Sequence, residues 1–491
     1  MQTASVTETK HERHGDAGTG QGHPKWLAAF QNLERTHAFE DLTVTGTLPP
    51  ELERGTVYRN GPGRFELGGS RVRHWFDGDG SVVATRFSAA KAQGAIQMVE
   101  TPGYLRETER KQRLFGGYNT PLQRPFREAL LGDRKNPANT GVLVWQERVF
   151  ALCEAGKPYE LSSSDLRTVG EMDLGVVKGS FNPHPRPIGS RRATYSIGLR
   201  IGAKSFVDLY ELPWEGTPRC FASLPVGDLP MMHDFAVTER HLVLFVPPMG
   251  LRLWPFLTGK LGLADAATWD QSRGTEIIVV SLDAPHEVQR VRTDAFYMEH
   301  TANAYEDGEG IVIEFTRYDT HQHFEALVSD IVRGATGDGA GLSLCRMRLD
   351  TKRQRAPVEP ITSELGELPQ VASTRLGLQH RYTYLAGQSS KSPTPGELFP
   401  AVLKVDTQTG GITRFSFGAD CIASEPLFVR RKDSSIEDDG YLLVLVFDPK
   451  DGCSYEAVLD AQHLADGPVA TARYGHMVTP RFHGAFVRSR G

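Results

Sequence analysis

The chain has 491 residues, more than one ordinary hydrophobic core fills, so the choice lies between several domains and one large repetitive β architecture. A formal net charge of -5 with scattered Lys and Arg leaves no basic footprint, which argues against nucleic acid and for a neutral or apolar ligand. Five widely spaced cysteines without a CxxC pair, no apolar leader and no run of about eighteen apolar residues predict a cytoplasmic protein without disulfides or a membrane span.

Residues 1–24 are polar and cannot bury enough surface to offset their ordering entropy, so a disordered tail is expected, and His11, His14 and His23 within it are set aside as ligands. From Trp26 to Glu40 the apolar residues Trp26, Leu27, Phe30 and Leu33 recur at helical spacing, which predicts a short helix. The chain then changes character. Short runs rich in Val, Ile, Tyr, Phe and Thr alternate with Gly and Pro turns: GTVYRNG, SVVATRFS, GVLVWQERVFALCE, RATYSIGLRI, FVDLYEL, HLVLFVPP, TEIIVVSL, GIVIEFTRY, RYTYLAG, AVLKVDT, GYLLVLVFD and YEAVLD. So many short strands predict a large sandwich, barrel or propeller. His74 precedes a WFDGDG turn and is read as scaffold.

Residues 107–133 and 248–272 break the strand rhythm and are predicted to be insertions with short helices that cover a site. The second carries Met249, Leu251, Leu253, Trp254, Phe256, Leu257 and Leu261 around Arg252 and Lys260; it reads equally as a peripheral membrane-contact face or as packing over the core. His321 and His323 alternate as they would on one strand face, whereas His241, His286, His380, His463 and His476 read as surface or loop residues.

Four other histidines stand in apolar or small-residue phrases: His184 in FNPHPRP, His233 in PMMHDFAV, His300 in YMEHTANAYE and His483 in RFHGAF. That pattern reads as a metal site. Four neutral imidazoles without a thiolate or carboxylate suit a divalent first-row metal better than a structural zinc. They are too far apart for one helix, so four separate elements must converge, and a propeller achieves this because one inner strand of each blade approaches the axis.

These phrases, together with VYRNGPGRFE, HWFDGDGSV, ANTGVLVW, ALCEAGKPYEL, ELPQV, SEPLFVRR and EDDGYLLVLVFD, resemble the carotenoid cleavage oxygenase family in family order from about residue 40 onward. The resemblance implies an all-β fold, a seven-bladed β-propeller forming one catalytic domain over residues 25–491, with short helical insertions capping an axial iron site. It implies Fe(2+) held by His184, His233, His300 and His483, O2 as co-substrate, no organic cofactor, and cleavage of a carbon-carbon double bond into two aldehydes. It also supplies Glu154, Glu367 and Glu425 as acceptors that orient the imidazoles, and Thr140 as a side chain crowding an open metal position.

Phe76, Tyr118, Phe296, Tyr297 and Phe324 lie near these motifs and are the candidate liners of an apolar tunnel. Stilbene-cleaving relatives place a lysine immediately before the Glu154 position and a tyrosine upstream; here Cys153 replaces the lysine, with Tyr118 in the tyrosine's place. Without that charge a carotenoid or apocarotenoid is the first substrate class and a stilbene or other phenylpropanoid the alternative. An isomerase and a non-catalytic isoprenoid binder are the remaining readings. The expected partner is a small hydrophobic polyene or aryl alkene, with the protein a monomer or weak oligomer. Pro183 stands where the family commonly has Ala, stiffening the approach to His184.

Overall fold

In the computed structural model, which describes residues 23–121, 135–201, 204–227 and 231–489, the apolar runs become strands of five four-stranded antiparallel sheets, one ten-stranded sheet and two small hairpins. The five sheets follow one another along the chain. They comprise residues 141–171, 186–226, 235–293, 297–362 and 366–416, each meandering outward from its first strand.

The strands read as nearly continuous apolar runs because each sheet is covered on both faces. Along His241–Val246, Leu242 and Leu244 pack toward the second sheet while Val243 and Phe245 pack toward the fourth. Ile278 and Val280 likewise face one way and Ile277 and Val279 the other. The same wedges of side chains recur around the molecule, with Leu143 and Phe150 against Tyr210 and Leu212, Leu344 against Leu385 and Leu403, and Val402 against Leu442 and Val444. Val82 and Ala84 meet Val142 and Val149, which closes the ring.

Seven separate blades do not form. The expected seven-bladed β-propeller is corrected to five four-stranded sheets and one continuous ten-stranded sheet. The cause is the strand His37–Gly46, whose first half pairs with Lys91–Met98 and whose second half, Thr43 to Gly46, pairs with Pro468–Arg473. One strand thus joins N-terminal and C-terminal segments into a single ladder.

The same strand shortens the expected helix over Trp26–Glu40. Only Lys25–Phe30 is helical, as a 3-10 helix that buries Trp26, Ala29 and Phe30, and by His37 the backbone is extended. Residues 1–22 of the expected tail and 122–134, which include the second half of the first insertion, lie outside the described residues.

One end of the ring carries a cap. Its core gathers Trp26, Phe30, Phe65, Trp75, Met249, Tyr297, Tyr318, Phe324 and Phe482. The helix His321–Val328 belongs to it and replaces the strand expected around His321 and His323. Its start is set by the Thr320 hydroxyl, which accepts from the His323 amide, and its buried face by Phe324, Leu327 and Val328 at helical spacing. The 248–272 insertion forms the hairpin Met249–Leu251 with Ala267–Trp269 and the short helices Leu253–Leu257 and Leu263–Ala266. Met249 is buried in the cap, as the packing reading expects, while Leu253 and Trp254 are 56% and 73% exposed. Among the described residues no helix is long and apolar enough to cross a membrane.

Candidate metal centre

The first strand of each sheet delivers one residue to a common point. Thr140 immediately precedes Gly141–Trp145, His184 precedes Arg186–Ile188, and His233 precedes Phe235–Val237. His300 lies within Tyr297–Asp307 and Glu367 within Gly366–Gln370. The ten-stranded sheet adds Glu425 before Leu427–Arg430 and His483 before Gly484–Arg488. Gly141 permits the close approach of its neighbour, since a Cβ there would lie 2.2 Å from the Pro183 carbonyl oxygen.

One ring nitrogen from each of His184, His233, His300 and His483 falls within 4.8 Å of the others. The Nε2 atoms of His184 and His233 are 3.0 Å apart, and those of His233 and His300 are 3.3 Å apart. Three Nδ1 atoms face carboxylates: His233 to Glu154 at 2.6 Å, His300 to Glu367 at 2.7 Å and His483 to Glu425 at 2.9 Å. An ionised carboxylate only accepts, so each of these rings donates its Nδ1 proton outward and turns an Nε2 lone pair inward. Converging lone pairs at such distances call for a cation between them, and nitrogens bound at about 2.1 Å to one ion are separated by about 3.0–3.4 Å. The donor set therefore fits a divalent first-row metal.

The carboxylates are themselves secured. Glu367 also accepts from the Tyr318 hydroxyl at 2.9 Å and the Leu368 amide at 2.8 Å. Glu425 accepts from the Gln370 side chain at 2.7 Å and the Gly484 amide at 2.9 Å. The Thr140 hydroxyl sits between Asn139 Oδ1 at 3.1 Å and Glu154 Oε2 at 3.4 Å. Asn182 links two of the elements, accepting from the His184 amide and donating to the His233 carbonyl.

Electrostatics separate the four rings. Burial, reinforced by the neighbouring His483, His233 and His300, holds His184 well below the ordinary imidazole range, so it is neutral. Burial also lowers His300, against the pull of Glu367. At His233 burial acts the same way, but the Glu299 and Glu154 carboxylates outweigh it and push the ring up to about 10. Glu154, Glu367 and Glu425 are buried, which alone would raise them; their histidine partners overcome this and leave them below the usual carboxylate range. Cys153 is pushed up to about 12 by burial and by Glu154, so it remains a thiol. A cavity of about 1510 Å³ reaches the centre, lined among others by Pro183, His184, His300, Leu368, Glu425 and His483.

Of the expected tunnel residues, four come together under the cap. Phe76 lies 5.5 Å from Tyr118 and 6.1 Å from Phe324, and Phe324 lies 5.4 Å from Tyr297 between ring centroids. Phe296 does not join them. It stacks on Phe315 at 5.3 Å in the wedge between the third and fourth sheets.

A family model described as retinal pigment epithelial membrane protein, RPE65, matches residues 30–488. The chain belongs to the RPE65 family of carotenoid cleavage oxygenases. Its sequence is 29% identical to the apocarotenoid-15,15'-oxygenase of Synechocystis over 94% of this chain and 96% of that one. It is 25% identical to the isoeugenol monooxygenase of Pseudomonas putida over 91% of this chain and 94% of that one. The structure of the cobalt-substituted Synechocystis oxygenase superposes with a TM-score of 0.85 at 27% identity, covering 95% of this chain and 98% of that one.

In this RPE65-family chain several residues at the site escaped sequence reasoning. Glu299 is buried, lies 3.4 Å from His233 Nε2 and accepts from the Tyr297 hydroxyl at 2.6 Å. Burial raises it to about 8. The ladder to Gly310–Tyr318 is irregular between Met298 and Thr301, and this bulge lets consecutive residues Glu299 and His300 both reach the axis. A polar cluster in the cap was also missed. The Tyr118 hydroxyl donates to Glu325 at 2.6 Å and lies 3.1 Å from His321 Nε2, with His74 beside Glu325 at 3.7 Å. Burial raises Glu325 to about 7 and lowers His74 to about 3. His380, expected at the surface or in a loop, lies in a loop but is buried, with Nε2 2.9 Å from Glu314.

Proposed function

We propose that the protein is a non-haem iron(II) dioxygenase that cleaves a carbon-carbon double bond of a carotenoid or apocarotenoid to two aldehydes. The observation that carries this reading is the convergence of four imidazoles, three of them oriented by carboxylates, at the centre of the RPE65-family fold. His184, His233, His300 and His483 would hold Fe(2+), which when bound supplies O2 activation. Adding both oxygen atoms across a C=C bond to give two carbonyls balances without a reductant, so no organic cofactor is needed.

The chain's own residues do the rest. Glu154, Glu367 and Glu425 fix which imidazole nitrogen carries the proton and keep each ring from turning. The Thr140 methyl and hydroxyl, held by Asn139 and Glu154, restrict space beside the ligands. Phe76, Tyr297 and Phe324, packed on one another under the cap, are the apolar side chains against which a polyene would lie with water excluded. Leu253 and Trp254, exposed beside Arg252 and Lys260, support uptake of such a substrate from a membrane surface.

A second substrate class is favoured by the cap. The cluster of Tyr118, Glu325, His321 and His74 suits the hydroxyl of a phenolic aryl alkene, and the isoeugenol monooxygenase is among the relatives. Incubating the iron(II)-loaded protein with an apocarotenal and, separately, with a hydroxystilbene under 18O2 tests both. Two labelled aldehydes from the apocarotenal alone support the first reading, and cleavage of the stilbene alone supports the second. No cleavage of either at full iron occupancy refutes the proposed activity.

A further inference from the structure

We propose that His37, Glu40 and His476 form a second metal site, for a divalent first-row cation such as Zn2+, at the seam where the two ends of the chain meet. One ligand atom from each of the three lies within 4.8 Å of the others. The two Nε2 atoms are 3.1 Å apart, and the rings stand at 90° with centroids 5.2 Å apart. That spacing falls in the range of about 3.0–3.4 Å for nitrogens bound to one ion. It also matches the axial histidines, whose Nε2 separations are 3.0 and 3.3 Å.

Proton accounting carries the inference. His37 Nδ1 lies 2.8 Å from the Ala38 carbonyl oxygen and His476 Nδ1 lies 3.1 Å from the Met477 carbonyl oxygen. A carbonyl oxygen only accepts, so each Nδ1 carries its ring's proton. Two neutral imidazoles hold two protons, and both are spent on those carbonyls. The third contact, Nε2 to Nε2, is left with two lone pairs facing each other. A metal ion resolves the conflict; Glu40 Oε1 lies 3.6 Å from His37 Nδ1, on the other edge of that ring, and its carboxylate, which has an oxygen within 4.8 Å of a nitrogen of each histidine, must turn to reach the ion. Arg35 pairs with the other oxygen of Glu40; its side chain is half exposed and free to swing away when a cation enters. Two nitrogens and a carboxylate leave a fourth position for water.

Position gives the site a purpose. His37 begins the strand His37–Gly46, and His476 follows the strand Pro468–Arg473 paired with its far half. An ion held by both would staple the closure of the ten-stranded sheet, whose pairing otherwise joins segments more than four hundred residues apart.

The test titrates the full-length metal-free protein with Co2+, reading the visible ligand-field bands and metal stoichiometry. The wild type is expected to take up two equivalents, and His37→Gln and His476→Gln one each. His300→Ala, which disables the axial site, should keep one. Zn2+ added after the axial site is filled should raise the melting temperature of the wild type and not of either glutamine variant. Equal stoichiometry in the wild type and both glutamine variants overturns the proposal. So does a wild type that binds a single equivalent, because the third contact is then filled by a proton on an imidazolium.

Discussion

Glu367 and Glu425 hold histidines in the same way, yet replacing each by glutamine should have different consequences. In Glu367→Gln a single amide oxygen can take the place of Oε2, which already accepts from both His300 Nδ1 at 2.7 Å and the Leu368 amide at 2.8 Å. The amide nitrogen then meets the Tyr318 hydroxyl, now 2.9 Å from Oε1, which can turn to accept. The bonds that set the His300 tautomer survive and the charge is lost, worth about 1–1.5 kcal/mol given that charge-assisted bonds are about twice as strong as neutral ones, while the Tyr318 proton loses its acceptor, a stability cost that is the same with and without metal. Metal affinity should fall about tenfold. In Glu425→Gln the donors sit on opposite oxygens, His483 and Gln370 on Oε1 and the Gly484 amide on Oε2.

A backbone amide cannot turn, so the introduced glutamine must give its oxygen to Gly484 and its NH2 to His483. His483 then accepts at Nδ1 and carries its proton on Nε2, where the metal must bind. Restoring the binding tautomer leaves a buried N–H unpaired at a further cost of about 1–3 kcal/mol, so affinity should fall by about a hundredfold or more. Competitive chelator titration with Co2+, on variants whose circular dichroism matches the wild type, measures both constants. Equal losses in the two variants, or the larger loss in Glu367→Gln, would refute this account of the carboxylates.

His300→Ala should abolish binding at the axial site, checked by metal content after purification in excess iron(II); full occupancy would mean the four histidines are not the ligands. Because Glu299 and Glu154 outweigh burial and raise His233 to about 10, the metal-free ring is protonated across neutral pH and metal must displace that proton. Apparent affinity should therefore weaken as the pH falls from 9 towards 7, less steeply below about 8 where Glu299 itself takes up a proton and relaxes its pull on the ring, with proton release on binding measurable by calorimetry in buffers of different ionisation enthalpy. Tyr118→Phe removes the hydroxyl that bonds Glu325 and His321 and should raise KM for a phenolic stilbene while leaving apocarotenal turnover unchanged; the opposite pattern would place the phenol-binding end elsewhere. Gly141→Ala drives a Cβ to 2.2 Å from the Pro183 carbonyl and should lower both the melting temperature and metal affinity, since the strained segment carries His184.

How far the molecule was legible from its residues follows from the range of each signal. The four axial histidines were legible as one set because each stands in a distinctive phrase, and the structure brings their ring nitrogens within 4.8 Å of one another, whereas Glu154, Glu367 and Glu425 entered only through the family resemblance. The blade count was not legible, and the expected helix to Glu40 failed for the same reason. HAFEDLTVTG is a half-exposed strand whose partners lie near residues 94 and 471, so nothing local marks it as the strip that fuses two sheets. Phe296 is different, because the sequence did hold the information. It is adjacent to Tyr297 at the start of an extended segment, and side chains on neighbouring extended residues point to opposite faces, so only one of the two can line a tunnel.

His380 and His476, read as surface or loop residues, do lie in loops, yet His380 is buried and His476 half-buried. His380 is buried by Glu314, and His476 meets His37 across nearly the whole chain, so the features that make them chemically notable are contacts and not neighbours in sequence. A metal ligand at the axis announces itself by its phrase; one at the seam shows only as a deficit of protons among three contacts. That deficit does not depend on which residues flank the histidines. Any pair of imidazoles whose Nδ1 atoms both face carbonyls and whose Nε2 atoms meet at bonding separation must bind a cation or a proton, and metal stoichiometry decides which.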